Sequence, residues 1–211
     1  MIKIENVEVV GWAHAIRGMR NPYDSWDKTD SALVIEPDKI EFHIGNADHQ
    51  LMDTLLKSGT DHSKFMRFVV CYMDITAPLY WWKEFDTYRV GVEKDSCSTM
   101  HTICRKPFTL EDFSTDHMTE LSKATLQNLC VGLNQMRNIF LKYLNGDEKR
   151  EAWWQIIQLL PSSYMQKRTV MCSYQALRNM YHARKYHKLT EWHVFCKVLE
   201  NLENAELITN D

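Results

Sequence analysis

No window of this sequence approaches the roughly eighteen apolar residues that a membrane helix needs, so no part of it is expected to span a bilayer. No internal repeat and no low-complexity linker breaks it into modules. No C-x-x-C pair occurs among its six cysteines, Cys71, Cys97, Cys104, Cys130, Cys172 and Cys196. Thiols scattered in this way fit a reduced chain with mostly buried cysteines. Met1 to Val10 alternates charged and apolar residues in place of a hydrophobic leader, so a cytoplasmic location is expected. Strong positive charge is missing too. The formal net charge is −3, which disfavours nucleic acid and acidic membranes as partners. His182, His187, Glu191 and His193 lie near one another but follow no His-Glu-x-x-His pattern, so no metal site is read there.

What is present is an ordinary globular composition. The chain has 211 residues, 45% hydrophobic and 25% charged, which is most simply one domain spanning 1–211. Seven Trp and nine Tyr make a heavy aromatic load, expected to be core for the most part, with stacking on a ligand as the alternative for Trp81, Trp82 and Tyr88.

Lys3 to Val10 alternates with Ile4, Val7 and Val9 and predicts a first strand. A short helix over Ala13 to Arg20 is ended by Asn21-Pro22. Tyr23 to Glu36 is polar, is broken by Pro37 and predicts a surface loop. Asn46 to Lys57 predicts a helix closed by Gly59, and Phe65 to Ile75 a buried strand. Pro78 suits a helix start, so Leu79 to Arg89 predicts a helix ending before Gly91. Asp86, one turn before Arg89, is that arginine's expected ionic partner.

Val92 to Met100 predicts a loop and His101 to Cys104 a short strand. A long amphipathic helix is expected over Asp116 to Leu144, burying Leu121, Leu129, Leu133, Met136, Phe140 and Leu144. Asp147 then caps a helix running to Leu160. After Pro161, Ser162 and Ser163 offer capping oxygens for a basic helix carrying Val170, Leu177, Met180 and Tyr181. A final helix is expected over Thr190 to Leu202. A modest sheet against many helices makes the fold class α+β.

From Lys167 to Lys188 there are six Lys or Arg residues and no Asp or Glu. A basic stretch beside Gln175 and Asn179, in a chain that is acidic overall, suggests an anion site in which Arg178 and Arg184 hold a phosphate.

The run LLPSSYMQKRTVMCSYQALRNMYHARKYHKLTEWHVF, from Leu159 to Phe195, resembles the C-terminal signature of the flavin-dependent thymidylate synthases, the ThyX family. Three further places agree in order. Ile16-Arg17-Gly18-Met19-Arg20-Asn21-Pro22-Tyr23 is similar to the family's Val-Arg-Ala-Ala-Arg-Val-Ser-Phe. Leu56 to His62 is similar to its Met-Lys-His-Gly-His-Glu-Thr, and Ala77 to Phe85 to the segment leading into its Arg-His-Arg signature. The resemblance therefore runs from about Ile16 to Phe195 in the right order.

This resemblance implies a ThyX-like α+β fold assembled as a homotetramer, with FAD and a dUMP-like pyrimidine nucleotide bound at subunit interfaces. The implied reaction is methyl transfer to the base. No catalytic residue is assigned. The resemblance implies nucleotide contacts at Arg184, Arg89, Ser98 and Glu84, and flavin contacts at Asn179, Ser173, Arg178, Tyr88 and His62. A phage-encoded copy, acting in the host cytoplasm, would fit it too.

The chain departs from the family pattern at several of these positions. Thr87-Tyr88-Arg89 stands where the family has Arg-His-Arg, and Ile157 where it has a nucleotide-contacting Arg. Glu84 replaces a Gln, Ser173 an Asn and Pro22 a Ser. Losing arginines removes bidentate grips that Lys cannot replace geometrically. The alternative reading is therefore a nucleotide-binding or nucleotide-sequestering protein without catalysis. A third is an interaction protein using its aromatic surface, which would not need Arg184 and Asn179.

Overall fold

The computed structural model describes residues 1–36 and 39–210, so Pro37 lies outside the described residues. Two compact units emerge, each made of several chain segments. Unit 1 comprises Met1–Lys3, Ile75–Thr87 and Asp95–Thr169, and unit 2 comprises Ile4–Asp74, Tyr88–Lys94 and Val170–Asp211.

The elements, in chain order, are β1 (Lys3–Val10), α1 (Trp12–Arg20), β2 (Ala32–Glu36), β3 (Lys39–His43), α2 (Asn46–Lys57), β4 (Val70–Pro78) and α3 (Leu79–Phe85). These are followed by β5 (Val92–Ser96), α4 (Thr99–Thr102), α5 (Glu120–Lys142), α6 (Asp147–Leu159), β6 (Met165–Ser173), α7 (Tyr174–Arg184), α8 (Thr190–Leu199) and α9 (Glu206–Thr209). Four strands form a sheet in the order β1-β4-β6-β5, and β2 and β3 form a separate antiparallel hairpin with Leu33 opposite Phe42. The class is α+β, as the alternation and helical periods predict.

In unit 1, α5 and α6 lie against each other and close a core of Ile103, Phe108, Phe113, Leu126, Leu133 and Ile156. Thr119 caps α5 by accepting from Ser122 N at 3.3 Å. Leu133 is fully buried, and Leu129, Met136 and Phe140 pack against this core. Leu121 and Leu144, expected on the same stripe, are 79% and 93% exposed. They lie at the start of the helix and beyond its end. Trp82 meets Trp81 and Phe85 edge-on in a buried cluster, with the Trp81 and Trp82 centroids 5.0 Å apart. Trp81 and Trp82 are core, not stacking platforms.

In unit 2, β1 leads into α1 through Gly11, whose φ of 107° is left-handed and open to glycine. A Cβ there would collide with the carbonyl oxygen of Phe68. Trp12 and Tyr174 meet edge-on at 5.1 Å. The Tyr174 hydroxyl donates to Glu203 O at 2.6 Å, and Trp12 Nε1 donates to Glu203 Oε2 at 2.9 Å.

Several expectations are corrected. Tyr23 to Glu36 is not one loop, because a 3-10 turn at Trp26–Lys28 and strand β2 lie inside it. Phe65 lies inside a 3-10 turn over Ser63–Arg67, and the strand begins only at Val70. Helix α3 stops at Phe85 because Thr87 Oγ1 donates back to Glu84 O at 2.7 Å and the chain then turns through Gly91 at φ 70°. The stretch Val92 to Ser96 is strand β5, and His101 lies on helix α4. Asp147 is the first residue of α6, whose cap position is Gly146.

The largest correction concerns Met165 to Ser173, which is a strand. Ser162 and Ser163 cap nothing, and instead their carbonyls accept from Tyr80 N and Ser114 N. Helix α7 starts nine residues later than Met165, and Ser173 is its cap, accepting from Ala176 N at 3.2 Å.

Candidate functional site

In unit 2 the best-defined constellation surrounds Arg184, in the last turn of α7. A cation there is favoured by the partial negative charge of the helix C-terminus. Its Nε donates to the hydroxyl of Tyr88 at 2.9 Å. Its guanidinium lies 4.9 Å from the ring centroid of Trp192 and 5.5 Å from that of Tyr88. Those two rings meet edge-on at 6.2 Å, and Trp192 is completely buried against Phe195. Arg184 is thus a half-buried cation fixed by a hydrogen bond and two aromatic faces. The chain supplies the platform from α8, since Trp192 sits in the first turn of that helix.

Trp192 is the residue sequence reasoning missed. Its place in the apolar stripe of the last helix marks it as core, which it is. Its second role is visible only once α7 and α8 are seen packed together.

Other predicted residues of unit 2 are placed as follows. Tyr88 is half-buried and orients Arg184. Arg89 is exposed and makes no hydrogen bond or ion pair among the described residues. Asn179 is exposed on α7, and its Oδ1 accepts from Gln175 Nε2 at 3.3 Å. Ser173 is 4% exposed, and its hydroxyl is used in capping α7. Arg178 donates from Nη1 to the carbonyls of Leu207, at 3.1 Å, and Asn210, tying down the segment around α9. His62 is exposed on the rim of a cavity of about 200 Å³ that is also lined by Pro22, Tyr23, Lys64, Phe65 and Phe68.

In unit 1, Ser98 precedes α4, and its hydroxyl lies 2.9 Å from His101 Nδ1. Glu84 is half-buried on α3. Asp86 is not Arg89's partner. It accepts from Arg168 Nη1 at 2.8 Å, with the Arg168 guanidinium 4.3 Å over the ring of Trp82. Ile157 packs on the α5–α6 core. An apolar side chain there serves packing where an arginine would have carried charge.

Five of the six cysteines are buried, and all six are free. Burial is the main reason the Cys71 thiol is pushed up to about 12 and that of Cys196 to about 11, so neither is a nucleophile at neutral pH. Among the described residues no group of three His, Cys, Asp or Glu side chains is placed to hold a metal ion. No helix among them is long and apolar enough to cross a membrane.

Five residues are assigned to flavin by the sequence resemblance. Ser173 and Arg178, two of the five, are engaged inside the chain, one as a helix cap and the other on backbone carbonyls. Arg184 is engaged as well, through the hydroxyl of Tyr88 and two aromatic faces, at the negative end of α7.

No protein-family model and no curated protein matches the chain by sequence. Solved structures do match it. Thymidylate Synthase X (ThyX) from Helicobacter pylori, with FAD and dUMP, superposes with a TM-score of 0.70 at 14% identity, covering 98% of this chain and 96% of the other. A second structure of flavin dependent thymidylate synthase ThyX from the same organism, complexed with FAD and dUMP, gives 0.70 at 15% identity over 96% of each chain. Identity at this level speaks to the fold alone. The chain has a ThyX-like α+β fold over nearly its whole length.

Proposed function

We propose that this protein binds a pyrimidine nucleotide of the dUMP class, with Arg184 gripping its phosphate. The observation that carries this reading is the fixed guanidinium of Arg184, hydrogen-bonded to Tyr88 and set over Trp192, in a fold shared with dUMP-bound structures. A cation already immobilised loses little freedom when an anion arrives, so more of the contact energy appears as affinity. Arg89 and Asn179, both exposed, are proposed as further contacts. Ser98 and Glu84 are proposed contacts on the strength of the sequence resemblance. A homotetramer, with neighbouring subunits completing each site, is part of the proposal.

A second reading is catalysis of the ThyX kind, supported by the whole-chain likeness to structures holding both FAD and dUMP. A bound flavin supplies hydride chemistry for methylation of the base. Against it stand Ile157 and Thr87 at positions where the family resemblance calls for arginine, and the internal engagement of Ser173 and Arg178. Non-catalytic nucleotide binding is therefore the better-supported function.

Purification followed by denaturation tests the choice. A colourless protein that releases, or takes up, a pyrimidine nucleotide fits the proposed reading. A yellow protein releasing FAD shifts the assignment to the enzyme. A colourless protein that binds no added dUMP overturns both.

A further inference from the structure

A second cavity, of about 430 Å³, lies in unit 2 between α1, the 3-10 turn at Trp26–Lys28 and the β2–β3 hairpin. It shares no lining residue with the Pro22–His62 cavity, and none of the residues assigned to nucleotide or flavin lines it. Its volume falls in the range of small-molecule sites, which runs from about 300 to 1,000 Å³. Ala13, Ile16, Trp26 and Phe42 give it apolar and aromatic walls. Trp26 is 49% exposed, yet its ring is held in place, because Nε1 donates to Asn21 Oδ1 at 2.8 Å.

The polar atoms around this cavity divide sharply. Its other arginine, Arg20, is spent on Asp48 and on the carbonyls of Ser25 and Lys28. The hydroxyls of Thr29 and Ser31 donate to Asp48, and that of Ser31 also accepts from Gly45 N. Asn21 Oδ1 is taken by Trp26. What is left is donors. Among the described residues Arg17 has one partner, His14 Nδ1 at 3.2 Å, and Asn21 Nδ2 has none. Among the described residues no carboxylate lines the cavity, so none of them offsets the charge of Arg17 within it.

We infer that this cavity binds an aromatic acid: a flat, carbocyclic ring system stacked on Trp26, with its carboxylate at Arg17 and Asn21. A nucleobase fits less well. Its ring N–H and carbonyl groups would be desolvated among walls whose hydroxyls are already engaged, at a cost no new hydrogen bond offsets. An alkyl acid would fill the volume but forgo the indole face. The site is thus distinct from the one proposed for the nucleotide.

Calorimetric titration of the full chain with 2-naphthoate, its neutral isostere 2-naphthamide and octanoate tests this. Naphthoate is expected to bind at least about tenfold tighter than the amide, as loss of one charge-assisted hydrogen bond implies. Arg17 is exposed, so Arg17→Gln should fold and should abolish that preference. Trp26→Leu should weaken both aromatic ligands, while Trp26→Phe, which keeps a ring, should retain them. Excess dUMP should not displace naphthoate, so the outcome is independent of whether a nucleotide binds elsewhere. Equal affinity for acid and amide, octanoate binding as tightly as naphthoate, displacement by dUMP, an unchanged Arg17→Gln variant, or no binding at roughly millimolar ligand would each overturn the inference.

Discussion

Arg20 and Asp48 form a buried ion pair in unit 2, with Nε donating to Oδ1 at 2.6 Å and the two side chains 5% and 0% exposed. Asp48 Oδ2 accepts further bonds from Thr29, Ser31 and two backbone N–H groups. This network anchors α2 to α1 and to the segment leading into β2. Burial alone would raise the Asp48 carboxyl, but hydrogen bonds from Ser31, Thr29 and Arg20 outweigh it and hold the carboxyl below its usual value.

Asp48→Ala leaves Arg20 charged and buried without its carboxylate. It should cost about 3–5 kcal/mol in chemical denaturation. The pH sign follows from the lowered native value. The native state binds fewer protons at this site than the unfolded chain, so the stabilisation is complete above the unfolded aspartate value of about 3.9. It is lost as pH falls through the native value. Acid titration of stability should therefore show a smaller loss in Asp48→Ala than in the parent. Equal acid dependence would remove Asp48 from the account.

Gly91 and Ser173 are tightly matched. Gly91 adopts a left-handed φ of 70°, and a Cβ there would overlap Ser173 Oγ, which caps α7. Gly91→Ala adds left-handed strain of about 1–2 kcal/mol and disturbs a cap worth about 0.5–2 kcal/mol. In a double-mutant cycle, adding Ser173→Ala to Gly91→Ala should cost less than the sum of the two, because the overlap is gone. Strict additivity would show that the two residues do not press on each other.

Cys97 is the exposed thiol among six free cysteines, and burial raises Cys71, Cys104, Cys130, Cys172 and Cys196. A thiol reagent at neutral pH should label Cys97 rapidly and the others only on unfolding. Rapid labelling that survives Cys97→Ser would contradict the packing described here.

Leu133→Ala in the α5–α6 core should cost about 2–5 kcal/mol, whereas Leu121→Gln, at an exposed position, should stay within about 0.5 kcal/mol. Both are read by denaturant melts. A costly Leu121→Gln would reveal a partner surface over the start of α5.

Much of this architecture is legible in the sequence, and the failures have specific causes. The first strand was readable from its apolar residues Ile4, Val7 and Val9, and α2 from its apolar period between Asn46 and Lys57. Strand β6 was hidden because two of its inward positions are polar. Gln166 is 8% exposed and donates to Cys97 O, and Arg168 is covered by Trp82 and paired with Asp86. Polar residues in buried strand positions break the two-residue period, and the flanking apolar residues then mimic a helix. The Arg20–Asp48 pair was invisible for another reason. The partners are 28 residues apart, and Asp48 reads as an ordinary acidic residue in a first helical turn. The order of the ThyX-like motifs was legible. The internal engagement of Arg178 was not, because its carbonyl partners, Leu207 and Asn210, lie far along the chain around α9, and the cap at Ser173 was hidden with the strand that ends there.

The central claim is that Arg184 holds a nucleotide anion, and dUMP titrated calorimetrically into the parent, Arg184→Ala and Arg184→Lys tests it most directly. Binding by the parent, loss of about 2–5 kcal/mol in Arg184→Ala and only partial recovery in Arg184→Lys is the predicted pattern. An Arg184→Ala variant that binds dUMP as tightly as the parent would contradict it.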